Sequence, residues 1–165
     1  MPPAKLCLSC KKKVFNSRNI IMESNPRPVT WKKKIGLKTK FPGDRVVDLT
    51  KPNLRRRIPR NPTHSVEIDL GQEIANRWVL YYAAEPTPRT LKNKKQSAPK
   101  AYKKEFRNQG LTRTDKNGRA LLKVRCPQSY KEGGKVYPRH VHFMLAKKNN
   151  LSWNKALFTV GINCQ

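Results

Sequence analysis

The chain has 165 residues, enough for one domain with a real core, but only 36% are apolar and 28% are charged. With 37 Lys and Arg against 10 Asp and Glu the net charge is +27, a self-repelling balance that calls for nucleic acid, an acidic protein surface or anionic lipid as partner. No apolar run approaches the roughly 20 residues of a membrane span and no signal peptide is legible, so a soluble intracellular chain is expected. Its four scattered cysteines, Cys7, Cys10, Cys126 and Cys164, exclude a disulfide scaffold and predict reduced thiols.

Residues 1–62 read as a separate basic, proline-rich extended arm. The first 60 residues hold 17 basic and 3 acidic side chains, and Pro26, Pro28, Pro42, Pro52, Pro59 and Pro62 oppose helices and interior strands. Three basic triplets (Lys11, Lys12, Lys13; Lys32, Lys33, Lys34; Arg55, Arg56, Arg57) are candidate polyanion or partner contacts, although any one alone is an ordinary solvated charge run. Val14-Phe15, Trp31 and Val46-Val47 are the expected docking anchors. Within the arm, Cys7-x-x-Cys10 offers two of the four ligands a structural zinc site needs. Cys126 and Cys164 complete it only if the arm folds back.

Residues 63–165 read as the folded domain. HSVEIDL (64–70) alternates apolar and polar residues with the period of a half-buried strand, GQEIANR (71–77) allows one helical turn, and RWVLYYAA (77–84) is an apolar run suited to a strand buried on both faces. Residues 86–104, with three prolines and seven basic residues, read as a long surface loop whose Lys94, Lys95, Lys103 and Lys104 are further polyanion candidates. DKNG (115–118) is a turn, and strands are expected in GRALLKVRC (118–126), HVHFMLA (140–146) and ALFTVGI (156–162). Short strands without a long helical period predict an all-β fold, an antiparallel sandwich.

The stretch 114–143, TDKNGRALLKVRCPQSYKEGGKVYPRHVHF, is the most specific. On a strand His140 and His142 point to one face, so two imidazoles can reach one metal. Thr114, Asp115, Gly118 and Arg119, then Pro127 and Tyr130, then His140, His142 and Phe143 form a pattern that resembles the core of the intradiol ring-cleavage dioxygenases. The resemblance covers roughly residues 64–162 and implies a β-sandwich of that type. It also implies non-haem iron(III) held by two tyrosines and two histidines, here Tyr102, Tyr130, His140 and His142. Hard ferric iron suits phenolate oxygen and imidazole. The family has Arg-Pro-x-His before the pair; this chain has Tyr137-Pro138-Arg139-His140, so Arg139 is the displaced candidate for stabilising anionic charge in catalysis.

A weaker resemblance, of CPxxY and YPxHVHF followed by Trp153, is to small basic virion proteins of large DNA viruses. Three functions follow. The leading expectation, from the charge and the arm, is a non-catalytic structural protein of a large assembly, a minor capsid or virion-internal component whose arm binds other structural proteins, DNA or RNA; the other two are alternatives. The ligand set favours an iron(III) intradiol dioxygenase opening catechol-type substrates. A general basic nucleic-acid-binding protein accounts for the charge but not for the motif, and no base-reading motif is present.

Overall fold

The computed structural model describes residues 47–91, 94–103, 106–154 and 156–164, together with the backbone of residues 20–23. Cys7, Cys10, Lys11, Lys12, Lys13, Val14, Phe15, Trp31, Lys32, Lys33, Lys34, Val46 and Lys104 lie outside the described residues.

The described chain is built mainly of antiparallel strands. These are β1 (Ile20–Glu23), β2 (His64–Asp69), β3 (Trp78–Ala83), β4 (Gln109–Arg113), β5 (Arg119–Val124), β6 (Tyr130–Glu132), β7 (Lys135–Tyr137), β8 (His140–Leu145) and β9 (Leu157–Gly161). Five strands form one sheet in the order β1-β9-β8-β3-β4; β2 pairs with β5, and β6 with β7. The strand expected in HSVEIDL is β2, and the apolar run 77–84 contains β3, which lies between β8 and β4 and is buried along nearly its whole length. The segment 71–77 holds a single 3-10 turn, Gln72–Ile74.

One hydrophobic core joins the large sheet to the β2–β5 pair. Ile68, Leu122 and Val124 meet Val79, Tyr81, Val141, Phe143, Leu145, Phe158 and Val160 there. The parity follows from the pleat: alternate residues of β3, β8 and β9 face this core, and those between them face the other way. Gly110, opposite Tyr81 across the β3–β4 pair, leaves the space its ring occupies, since a β-carbon at 110 would collide with the phenol and crowd the Arg57 carbonyl.

Tyr81 yields a first testable outcome. Burial pushes its phenol up to about 12, partly offset by a hydrogen bond to the Lys123 backbone. An unfolded tyrosine ionises near 10, so between pH 10 and 12 the unfolded chain releases a proton that the folded chain keeps, and stability falls as pH rises. Relative to Tyr81→Phe, the protein should lose about 2 kcal/mol across that window, allowing for solvent screening. Urea midpoints measured at each pH check this; parallel curves for the two proteins would refute it.

Three features depart from the sequence expectations. Part of the arm enters the sheet, since β1 pairs antiparallel with β9 in the register Ile20 to Val160. The basic segment 86–104 is not a plain loop: it carries a 3-10 turn, Arg89–Leu91, and a short helix, α1 (Ala98–Tyr102), that buries Ala98, Ala101 and Tyr102. Finally, Cys126 and Cys164 form a disulfide with Cα atoms 5.9 Å apart, not the reduced thiols expected. The two segments run on from β5 and β9, so the bond ties the two sheets together at one end and withholds both sulfurs from a site with Cys7 and Cys10.

Candidate metal centre

The face of the large sheet turned away from the shared core carries a second cluster of buried residues: Tyr82 and Ala84 at β3, Met144 on β8 and Leu157 on β9, with Ala98, Ala101, Tyr102, Phe106 and Tyr130 over them. His140 and His142 are buried on this face because Val141 and Phe143, alternating with them, point into the core.

Two elements bring the tyrosines over the histidines. The five residues of α1 end at Tyr102; Pro99 stands in the first turn, where its missing N–H costs nothing. The amide of Ala98 donates to the Glu132 carboxylate at 3.1 Å, so the β6–β7 hairpin supplies the acceptor that the start of the helix needs. Lys131 N–H to the Gln96 carbonyl (2.9 Å) and Glu85 N–H to the Ala101 carbonyl (2.8 Å) hold helix, hairpin and sheet in one arrangement. The hairpin turns on Gly133 and Gly134, both at positive φ (58° and 77°), a conformation that a two-residue turn requires.

Four side chains from three elements therefore converge. The Tyr102 and Tyr130 hydroxyls lie 3.2 Å apart, and each is 3.2 Å from His140 Nε2. His140 Nε2 is 3.0 Å from His142 Nε2. A metal bonded tetrahedrally to oxygen and nitrogen at about 2.0 Å sets its ligand atoms about 3.3 Å apart, so these separations fit a single ion.

The protonation pattern agrees. His140 Nδ1 lies 2.6 Å from the Pro138 carbonyl, which only accepts, so Nδ1 carries the proton and Nε2 presents its lone pair to the cluster. His142 Nδ1 lies 2.9 Å from the Thr159 hydroxyl, and the Phe158 backbone also bonds the ring, so the imidazole is held with Nε2 toward His140. Burial lowers the pKa of His140, opposed by the Pro138 bond, and drives that of His142 well below the ordinary value, with His140 adding to the effect. Both imidazoles are thus neutral near pH 7. With His140 Nε2 presenting a lone pair 3.0 Å from His142 Nε2, the two imidazoles share a hydrogen bond or a cation, and the two phenols supply the hard oxygen donors that ferric iron favours.

Aromatic rings close the surroundings. Tyr82 packs against His142 (centroids 5.2 Å apart) and edge-on to Tyr102 (5.9 Å), and Phe106 lies 5.8 Å from Tyr102. Tyr137 stacks on Tyr130 at 5.3 Å and 23°. It holds the position, three before His140, where the intradiol pattern has arginine.

Of the residues singled out in the sequence, Tyr102, Tyr130, His140 and His142 come together. Arg139 does not join them: it is exposed and one position out of phase with His140. Arg55, Arg56, Arg57, Lys94, Lys95 and Lys103 are all exposed, with Lys95 bonding Ser129 Oγ at 3.1 Å. Tyr82, Tyr137 and Thr159 were not anticipated. Their roles rest on cross-strand register, Tyr82 opposite His142, His142 opposite Thr159 and Tyr130 opposite Tyr137, which no single stretch of sequence carries. Comparison with protein-family models, curated proteins and solved structures returned no match.

Proposed function

We propose that this protein is a non-haem iron(III) protein with a β-sandwich of the intradiol ring-cleavage type, acting on catechol-type substrates. The observation that carries this reading is the convergence on His140 Nε2 of the Tyr102 and Tyr130 hydroxyls, each at 3.2 Å and 3.2 Å from one another, and of His142 Nε2 at 3.0 Å. Ferric iron, which Tyr102, Tyr130, His140 and His142 would hold, would supply Lewis acidity toward a catecholate. The chain's own residues do the rest. The Pro138 carbonyl and Thr159 fix the two imidazoles with their Nε2 atoms inward; burial keeps them neutral and so able to ligate. To serve as oxygen ligands, Tyr102 and Tyr130 would release their phenolic protons to solvent. Tyr82, Phe106 and Tyr137 pack around the donors and limit water there. Ring opening between the two hydroxyl-bearing carbons takes up both atoms of dioxygen and yields a dicarboxylic acid.

A second reading, a structural component of a virion or comparable assembly, is favoured by the Cys126–Cys164 disulfide and the charge of +27. Disulfides persist in oxidising settings such as virion surfaces, and the charge suits an anionic or acidic partner. Among the described residues no helix is long and apolar enough to cross a membrane.

Ferric loading separates the two. The protein should bind one equivalent of iron(III), show a visible phenolate-to-iron absorption band that Tyr130→Phe shifts and weakens, and consume dioxygen with catechol. A colourless protein without stoichiometric iron would sink the iron reading; a coloured one inert toward catechols would leave the iron structural.

A further inference from the structure

A different set of ligand-type side chains lies at the end of the molecule where the two sheets are tied. His64 begins β2, Cys126 follows β5 and Cys164 follows β9, and one ligand atom from each lies within 4.8 Å of the others. All three are half-buried, so the group is reachable from solvent yet partly shielded. The loop before β2 organises it. Thr63 Oγ1 accepts the Cys126 amide at 3.0 Å and lies 2.8 Å from His64 Nδ1, while the Thr63 amide donates to the Val124 carbonyl at 3.0 Å. An imidazole held at Nδ1 by a neighbouring oxygen has Nε2 to offer a metal, the usual arrangement around metal-bound histidine.

We propose that His64, Cys126 and Cys164 form a redox-gated zinc site, closed as a disulfide under oxidising conditions and assembled when the disulfide is reduced. A dithiol reductant supplies two electrons and two protons: the Sγ–Sγ bond breaks, two thiols form and the reductant becomes a disulfide. Zinc then binds both sulfurs as thiolates together with the imidazole, and two protons leave to solvent. Two thiolates, one imidazole and one open position match the ligand count of zinc sites that keep a place for water or an exogenous ligand. Disulfide and zinc perform one mechanical task, joining the strand ends of the two sheets, so the link survives passage between oxidising and reducing compartments. The sulfurs change partner; the fold keeps its clasp.

The test uses the full chain carrying Cys7→Ser and Cys10→Ser, which removes the other thiols. After reduction with a water-soluble phosphine, cobalt(II) should bind at one equivalent with a near-ultraviolet thiolate-to-cobalt charge-transfer band, zinc should displace it, and the unreduced chain should show no band. His64→Ala should weaken cobalt and zinc binding at least tenfold. Tyr130→Phe should leave the band unchanged, which separates this site from the tyrosine-histidine cluster. Absence of a thiolate band in the reduced chain, or equal affinity with His64→Ala, would overturn the proposal.

Discussion

Asn108→Leu should destabilise the protein by about 3–5 kcal/mol, among the largest effects of any single change away from the tyrosine-histidine cluster. Asn108 is fully buried, and its amide satisfies three backbone groups at once: Nδ2 donates to the Ala84 and Arg125 carbonyls at 2.7 and 2.9 Å, and Oδ1 accepts the Arg125 amide at 2.9 Å. The Asn108 carbonyl also accepts the Ala83 amide at 2.9 Å. Leucine matches the volume but takes the partner from one buried carbonyl, Ala84, and from the part-buried carbonyl and N–H of Arg125, and each group left unsatisfied costs about 1–3 kcal/mol. These groups sit at the ends of β3 and β5, so Asn108 fastens the two sheets side chain to backbone. A lower urea midpoint at unchanged slope is the expected signature, and a loss below about 1 kcal/mol would mean that water or a rearranged backbone satisfies the orphaned groups.

Thr159→Val should weaken ferric iron binding about 10–100-fold while changing stability by no more than about 1 kcal/mol. Valine copies the shape of threonine and removes only the hydroxyl 2.9 Å from His142 Nδ1. The ring of His142 then loses a partner that fixes its rotation, and Nε2 spends less time aimed at the other three donors. Thr159→Ser restores the hydroxyl and should restore most of the affinity. Competition with a ferric chelator measures both, and an unchanged affinity in the valine variant would show that the Phe158 backbone alone orients the ring.

How far the sequence disclosed this molecule depends on the range of the interaction concerned. The strands β2, β3, β5, β8 and β9 were legible because period-2 alternation or a continuous apolar run is a local property. So was the shared direction of His140 and His142, whereas Tyr102 and Tyr130 entered only through the family resemblance. The strand β4, QGLTR, escaped notice because its glycine is required by a ring on the neighbouring strand, and glycine in isolation argues against a strand. Helix α1 is not legible in the sequence because five residues with a proline carry no helical period; it forms where Glu132, far along the chain, accepts from its first amide. β1 was hidden in an arm whose prolines and charge outweighed four residues, IIME, that find a partner only once β9 is in place. The disulfide joins residues 38 apart in sequence, a pairing fixed by the strands that precede each cysteine.

The alternation along β8 carries one more implication. This strand is held from both sides, by β3 and by β9, and its residues are shared between two interiors: Val141, Phe143 and Leu145 in one, His140, His142 and Met144 toward the other. A slip of one residue against either neighbour would exchange the two sets, sending imidazoles into hydrocarbon and isopropyl and phenyl groups toward the tyrosines. Four converging donors are therefore attainable only by a chain whose strands are paired correctly. Acquisition of a metal at this cluster would act as a proofreading step, marking the molecules that have folded in register and giving nothing to those that have not.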